Sequence, residues 1–232
     1  MIKPNKTYQV LQKKYGDLNW WPVDKSYHLK NNSDPRFEVI VGTILTQNTA
    51  WSNVEKALTN LKQYKMLDIQ SVSNCNLKKL AEIIKPSGFF NQKAERLRDI
   101  SLKLKELHNS NLSLFFDRDI KNIRNELLSY NGIGPETADS IILYAGEKPI
   151  FVVDAYTKRL CQRLLSKTDI KYDSIQNFFQ KELSKRYKGK QLTKVYNQLH
   201  ALIVIHAKEH CRKNPKCNNC PLLNQCSFKK SL

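Results

Sequence analysis

The amino-acid sequence predicts an all-α fold, and two observations support that prediction. Apolar residues recur at helical spacing along most of the chain, and no segment shows a sustained alternation of apolar and polar residues. Glycine is scarce, at 7 of 232 residues, which favours helices over a fold rich in turns. A chain of 232 residues is long enough to bury the core of one large domain or two small ones.

The helical spacing of apolar residues predicts the helices one after another along the chain. In PRFEVIVGTIL, the residues Phe37, Ile40, Val41, Ile44 and Leu45 follow the spacing of a buried helical stripe. The same pattern predicts helices in the following segments: WSNVEKALTNLKQY, NLKKLAEIIK, NQKAERLRDISLKLKEL, IKNIRNELLSY, ETADSIILYAG, DAYTKRLCQRLL, YDSIQNFFQKEL and TKVYNQLHALIVIHAKEH. No long linker or low-complexity tract separates them, so any division into domains is compact.

The chain is strongly basic, with 39 Lys and Arg against 21 Asp and Glu and a net charge of +18. Such an excess favours a polyanionic partner, with nucleic acid ahead of an acidic membrane surface or simple solubility. The longest aliphatic run, ALIVI, is too short to span a bilayer, and MIKPNKTYQV lacks the apolar core of a signal peptide. We therefore expect a cytoplasmic protein that does not bind membranes.

Four of the six cysteines fall within the segment HCRKNPKCNNCPLLNQC near the C-terminus: Cys211, Cys217, Cys220 and Cys226. Their spacing is a central C-x2-C with an outer cysteine five residues away on each side. Structural zinc sites usually pair two short knuckles across a longer segment. Four thiolates in the present arrangement are better suited to a [4Fe-4S] cluster, and zinc is the alternative.

The segment SYNGIGPETAD, residues 129–139, predicts a sharp turn between two helices. Gly132 and Gly134 allow backbone angles that other residues resist, and Pro135 suits the first position of a helix. Backbone N–H groups at such a turn offer an anion site. A tight connection without a ligand is the alternative, and the basic chain favours phosphate.

Further along the chain, Asp154 in IFVVDAYTKRL follows four apolar residues and precedes a predicted helix. Aspartate is among the best N-caps, so this position alone needs no catalytic explanation.

Taken together, these motifs resemble the helix-hairpin-helix DNA glycosylases related to endonuclease III. NGIGPETADSIILYA resembles the family's hairpin, and VVDAYTKRL resembles the segment with its essential aspartate. GTILTQNTAWSNV, KPSGFFNQKAERL and the cysteine segment resemble three further motifs in the family's order, over residues 35–226. One departure is the first gap of the cysteine segment, which is five residues where the family usually has six.

The resemblance implies a two-domain fold and a double-stranded DNA partner that contains a damaged base. A six-helix barrel would span residues 24–134, including the first part of the hairpin. Residues 1–23 and 135–232 would form a helical domain with Asp154 and a cluster loop at 207–228. DNA would lie in the groove between the domains of a monomeric, nucleoid-associated enzyme. The implied DNA-binding residues, with Gln47 entering the duplex, are Gln47, Asn48, Lys93, Gly132, Ile133, Gly134 and Thr137.

Glu136 lies where the bifunctional members of this family have a lysine. That lysine attacks C1′ of the sugar, forms a Schiff base and cuts the strand. A carboxylate cannot form an imine, so the sequence predicts a monofunctional glycosylase that uses water and leaves an abasic site. Asp154 would stabilise the positive charge that develops on the deoxyribose. Glu136 would also complement the helix dipole.

The positions of the three tryptophans predict which kind of damaged base the enzyme removes. All three lie in NWWPVD and QNTAW, so Trp20, Trp21, Pro22 and Trp51 are the candidate walls of a base pocket, with core packing as the alternative. W-W-P, T-Q-N-T and G-I-G-x-E-x-A-D resemble the 3-methyladenine DNA glycosylase III branch, whose known bacterial members lack the cysteine cluster. A ring-methylated purine is cationic and suits an indole face.

Three other functions remain open on the sequence. One is a uracil, thymine-mismatch or deaminated-base glycosylase of the same fold. Another is a bifunctional glycosylase and lyase like endonuclease III, and the last is a DNA-binding protein without catalysis.

Overall fold

The computed structural model describes residues 3–165 and 169–228. These residues form helices joined by turns and contain no strand, which confirms the all-α prediction. The helices are α1 (Pro4–Tyr15), α2 (Lys25–Asn31), α3 (Pro35–Leu45), α4 (Trp51–Gln63), α5 (Ile69–Asn74), α6 (Leu77–Ile83), α7 (Phe90–His108), α8 (Leu112–Phe116), α9 (Ile120–Leu128), α10 (Pro135–Ser140), α11 (Ala155–Leu165), α12 (Tyr172–Ser184) and α13 (Gly189–Glu209). Short turns of 3-10 helix lie at Lys85–Ser87 and Leu223–Gln225, and a π-helical turn at Ile141–Ala145 continues α10.

The chain divides into two compact units. The inner unit spans Trp21–Glu147, and the outer unit combines the residues up to Trp20 with those from Lys148 onward. The boundary that follows the hairpin therefore lies after Glu147, not after residue 134 as the sequence predicted. The reason is that α9, α10 and the π-helical turn pack on one another, so the hairpin stays whole within the inner unit.

Six helices of the inner unit begin where a short polar side chain satisfies backbone N–H groups that have no partner within the helix. Asp34, for example, accepts a hydrogen bond from the N–H of Arg36 at 2.9 Å, just before Pro35 starts α3. The residues that cap a helix in this way are Asp24, Asp34, Asp68, Asn76, Asn111 and Asp119. Helix α3 is buried from Phe37 through Leu45 and packs against α4, α7 and α10, so it forms the centre of this unit.

A buried ion pair fixes the two helices of the hairpin. Nε of Arg124 on α9 lies 2.7 Å from Oδ1 of Asp139 on α10, and the Asp139 side chain is fully buried. Removing one partner of such a pair leaves an uncompensated charge in the interior, which costs about 3–5 kcal/mol. The ion pair therefore fixes the helix before the hairpin turn to the helix after it.

In the outer unit, α1 packs on α12 and α13, and α11 packs on the same two helices. Phe151 stacks on Phe179 with ring centroids 4.5 Å apart, and the ring of Tyr196 meets Phe151 edge-on. The buried residues 150–153 lead directly to Asp154 at the start of α11. No described helix has both the length and the apolar character that a membrane span requires.

Candidate active site and DNA-binding elements

Asp154 caps α11 and lies beside a histidine of α13. Its Oδ1 accepts the N–H of Thr157 at 2.6 Å, and its Oδ2 is 3.5 Å from Nε2 of His200. Burial by itself would raise the pKa of Asp154, but the nearby His200 and the bond from Thr157 outweigh it and bring the pKa below its usual value. The side chain is thus a carboxylate at neutral pH, with 9% of the residue's surface exposed.

The hairpin has the predicted turn between α9 and α10. Gly132 has a φ of +76°, which only glycine adopts without strain, and Gly134 is extended. Ile133 is buried, so its side chain anchors the turn. Glu136 lies exposed in the first turn of α10.

The loop of residues 46–50 joins α3 to α4 and is tied to this hairpin. Nε2 of Gln47 donates to the carbonyl of Gly132 at 3.1 Å and to Oγ1 of Thr137 at 2.9 Å. Its Oε1 accepts from Nη1 of Arg96 at 2.6 Å. Asn48, by contrast, is exposed and has a φ of +52° at the tip of the loop.

The structure corrects the prediction that Lys93 binds DNA. Its ammonium is buried, at 1% exposure, and donates to the carbonyls of Leu45 and Ser87 and to Oγ1 of Thr49 at 2.7–2.8 Å. All three acceptors belong to the protein. Lys93 thus holds the base of the 46–50 loop against the turn before α7 instead of contacting phosphate.

Two of the predicted aromatic residues meet in the inner unit, with a third that the sequence did not indicate. The ring of Trp21 lies edge-on to Trp51 with centroids 5.3 Å apart, and Tyr144 lies 5.4 Å from Trp21. A Cβ at Gly42 would lie 3.1 Å from the Trp21 indole, so glycine at this point of α3 makes room for the ring. Pro22 follows in the same unit and is half-buried, whereas Trp20 belongs to the outer unit.

Residues 41–185 match the model of the HhH-GPD superfamily of base excision DNA repair proteins. The chain belongs to this superfamily. The match includes the 46–50 loop, the hairpin and Asp154, so the family assignment covers the elements described above.

Relatives of this HhH-GPD protein agree with the assignment. A protein of Methanocaldococcus jannaschii, named provisionally as a DNA repair glycosylase, is 44% identical over 97% of this chain and 96% of its own. The H. pylori 3-methyladenine DNA glycosylase bound to 1,N6-ethenoadenine is 31% identical, with a TM-score of 0.69 over 88% of this chain and 97% of that one. A trapped endonuclease III–DNA intermediate has a TM-score of 0.76 at 20% identity, over 100% and 99% of the two chains, and shows the shared fold.

The HhH-GPD chain is therefore a DNA N-glycosylase of base excision repair, and DNA is its partner. The resemblance drawn from the sequence motifs is confirmed at the level of family, fold and enzyme class.

In this HhH-GPD protein the four cysteines of the C-terminal segment line one concavity in the outer unit, with apolar residues such as Leu160 and Leu222. Nη1 of Arg163 lies 3.2 Å from Sγ of Cys211. Burial raises the pKa of Cys220, and the nearness of the other three thiols adds to this effect. Within the described residues, no group of His, Cys, Asp or Glu side chains is arranged to hold a single metal ion.

Four functional candidates of the HhH-GPD chain were not found from the sequence: Phe89, Arg96, Tyr144 and His200. Phe89 follows Gly88, is 66% exposed and has a φ of +45°, which is strained for an aromatic residue. An aromatic residue after a glycine turn was a usable signal. The other three residues are recognised only through contacts with residues that lie far away in the sequence. No local sequence pattern predicts such contacts.

Proposed function

We propose that this chain is a monofunctional DNA glycosylase that hydrolyses the N-glycosidic bond of an alkylated purine and leaves an abasic site. The observation that carries this proposal is Glu136, exposed in the first turn of α10 where bifunctional relatives have an attacking lysine. A carboxylate has no amine to form an imine at C1′, so the strand-cutting route is closed at this position.

Water is then the nucleophile. The bond between C1′ and the base nitrogen breaks, the base leaves with the electron pair, and positive charge develops on the deoxyribose. Asp154 is ionised and held by Thr157, so it supplies a fixed negative charge that stabilises this oxocarbenium-like state. Water adds to C1′ and loses a proton, which completes the hydrolysis with the phosphodiester backbone intact.

An alkylated purine is the proposed base because of the aromatic group of the inner unit. Trp21, Trp51 and Tyr144 present electron-rich rings to one another at 5.3–5.4 Å. An indole face attracts a cationic base by about 0.5–2 kcal/mol relative to a neutral one. A methylated purine is already a good leaving group, so its release does not need a strong general acid. The 3-methyladenine enzyme of H. pylori, at 31% identity, agrees with this substrate class.

The inner unit also supplies the proposed contacts to the duplex. Asn48 and Phe89 are exposed, and both have positive φ values at loop tips. Their loops are joined because Oγ1 of Thr49 donates to the carbonyl of Ser87 at 2.5 Å. An apolar ring and a short amide at this edge would occupy the space that a flipped nucleotide leaves. The hairpin backbone at Gly132 and Gly134 would bind phosphate.

The cysteine segment is proposed to hold a [4Fe-4S] cluster. The donor set consists of the four thiols in one apolar concavity, with the guanidinium of Arg163 beside Cys211. Cubane clusters are held by four cysteine thiolates, and a nearby cation offsets their negative charge. When bound, the cluster would stabilise the C-terminal segment, and the proposed hydrolysis takes no step through it.

The test is a base-release assay on matched duplexes that contain 3-methyladenine, 1,N6-ethenoadenine, uracil or a T·G mismatch. We expect free methylated purine to be released much faster than uracil or thymine. Trp21→Leu should lower kcat/KM for the cationic base by about tenfold, and Trp21→Phe should restore part of it. Tyr64→Leu, at an exposed ring of the same unit, is the control and should have no effect. Preferential release of uracil or thymine would contradict the proposed substrate.

A further inference from the structure

A network of ionisable side chains that the proposed hydrolysis does not use lies in the inner unit, with its centre buried. It consists of Asp24, His28, Glu38 and Lys62 and is called the Glu38 network below. We infer that Glu38 is a positioning residue, which fixes the ring of Trp21 in the wall of the base pocket through the backbone of Asp24. The inference rests on the proposed role of Trp21 and names what holds that ring in place.

The carboxylate of Glu38 is bonded to the segment before α2, to α2 itself and to α4. Its Oε2 accepts from the backbone N–H of Asp24 at 3.0 Å and from Nε2 of His28 at 2.9 Å. Its Oε1 lies 2.8 Å from Nζ of Lys62, which also donates to Oδ2 of Asp24 at 3.2 Å. Burial by itself would raise the pKa of Glu38, but His28 and Lys62 outweigh it and bring the pKa below its usual value. The centre of the network is therefore an anion bonded on both oxygens.

The partners of Glu38 are themselves held in place. Because a carboxylate only accepts hydrogen bonds, Nε2 of His28 carries a hydrogen and donates it to Glu38. The other ring nitrogen of His28 lies 2.7 Å from Oγ of Ser33. The side chain of Asp24 accepts the N–H of Tyr27 at 3.0 Å and so caps α2. The segment before α2 thus cannot shift without breaking bonds to α2, α3 and α4 together.

Trp21 lies at the other end of the short segment that the network ties down. Glu38 and Gly42 are one helical turn apart on the same face of α3. Glu38 binds the backbone of Asp24, and Gly42 lies against the indole of Trp21, where a Cβ would come within 3.1 Å of the ring. One face of α3 therefore holds both ends of residues 21–24.

Helix α4 contacts the same two ends. Trp51 and Lys62 are separated by about three helical turns, so they project from the same face of α4. Lys62 binds Asp24, and Trp51 meets the ring of Trp21 edge-on at 5.3 Å. Loss of the charge at Glu38 would release the anchored end of this segment and let Trp21 move against Trp51. A misplacement of about 1 Å in an active site can cost roughly 100-fold in rate.

The first test measures the surroundings of Trp21 in the DNA-free protein. The chain has three tryptophans, so the ¹⁵N-labelled protein has three indole N–H groups to follow by NMR, and Trp21→Phe identifies the signal of Trp21. We expect Glu38→Gln to shift this signal. Lys62→Met, which keeps the other two bonds of Glu38, should shift it less and serves if Glu38→Gln does not fold.

Glu126→Gln is the matched control, because Glu126 is also a shielded carboxylate that pairs with a histidine and an arginine in the inner unit. It should leave the Trp21 signal unchanged, whereas a general loosening of the unit would move the signal in both variants. An unmoved signal in folded Glu38→Gln, or an equal shift in Glu126→Gln, would overturn the inference.

Base release then tests whether Glu38 acts through Trp21. On the duplex from which base is released fastest, we expect Glu38→Gln to lower kcat/KM by about tenfold. The double variant with Trp21→Leu should be no slower than Trp21→Leu alone, since both changes act on the same ring. Losses that multiply in the double variant would overturn the inference. If Trp21→Leu has no effect by itself, the proposed base pocket is wrong, whereas a shifted indole signal in Glu38→Gln would still show that Glu38 fixes Trp21.

Discussion

The carboxylate of Asp154 and the imidazole of His200 approach to 3.5 Å, although the two residues lie on different helices and far apart in sequence. Both are buried in the outer unit, and Thr157 fixes the other oxygen of the carboxylate through its backbone N–H. Asp154 is therefore held as an anion with defined orientation. A fixed negative charge in a water-poor environment is suited to stabilising a cationic transition state.

Asp154→Asn should remove most of the activity and leave the fold intact. Asparagine still caps a helix but carries no charge, so we expect base release to fall by about 10²–10⁴-fold with DNA affinity nearly unchanged. Single-turnover base release and a binding titration on the same duplex measure the two effects. Full activity in the variant would show that another group stabilises the sugar cation.

His200→Leu should move the acid limb of the kcat/KM profile to higher pH. In the native protein His200 helps to lower the pKa of Asp154, so the carboxylate stays ionised, and its stabilisation is lost only as pH falls through that lowered pKa. Without the imidazole, burial dominates and the pKa rises, so protonation begins nearer to neutral pH. A purely structural role for His200 would lower activity equally at every pH, and an unshifted limb would contradict the electrostatic one.

Lys93→Met should destabilise the inner unit at neutral pH. The change removes the Lys93 donor from the Leu45 carbonyl and the Thr49 hydroxyl, whereas the Ser87 carbonyl keeps its bond from Thr49. A buried group left without a partner costs about 1–3 kcal/mol. Urea unfolding of both proteins at pH 7 measures the difference. Lys105→Met, at a partly exposed lysine of the same helix, is the control, and equal losses in the two variants would refute the role assigned to Lys93.

The difference in the free energy of unfolding between the wild type and Lys93→Met should grow as the pH rises. Burial and the neighbouring Arg96 lower the pKa of Lys93 to about 8, against an ordinary value near 10.5. Between these two values the unfolded chain binds a proton that the folded chain does not, so folding becomes more favourable with increasing pH. We expect the wild type to gain up to about 3 kcal/mol over Lys93→Met across this window. A difference that stays constant with pH would contradict the lowered pKa.

The purified protein should be brown, with absorption near 400 nm and about four iron atoms per chain. Cys220→Ser should lose both colour and iron, because it removes one of the four thiols that line the concavity. Cys75→Ser is the control, since Cys75 belongs to the inner unit and does not line the concavity. A colourless protein with one zinc ion per chain would contradict the cluster and favour the alternative metal.

Local patterns predicted the parts of this molecule that depend on neighbouring residues. The helical stripes, the hairpin glycines and the position of Asp154 before α11 all follow from spacing and capping chemistry within a few residues. The burial of Lys93 had a local signal as well. Lys93 precedes the buried Leu97 by one helical turn and so lies in line with the apolar stripe of α7.

Contacts between distant segments could not be predicted in this way. His200 is recognised through its contact with Asp154, Tyr144 through Trp21, and Arg96 through Gln47. In each case the two residues belong to segments far apart in the sequence. The boundary after Glu147 has the same origin, because packing of the π-helical turn on its neighbours decides it.

The central claim, that Glu136 leaves this glycosylase without strand-cutting chemistry, is tested most directly by borohydride trapping on a duplex with a single 3-methyladenine or 1,N6-ethenoadenine. The prediction is that free base is released, the strand stays whole until alkali is added, and no covalent protein–DNA adduct forms. Efficient trapping, with strand cleavage in step with base release, would contradict the claim and show that another amine attacks C1′.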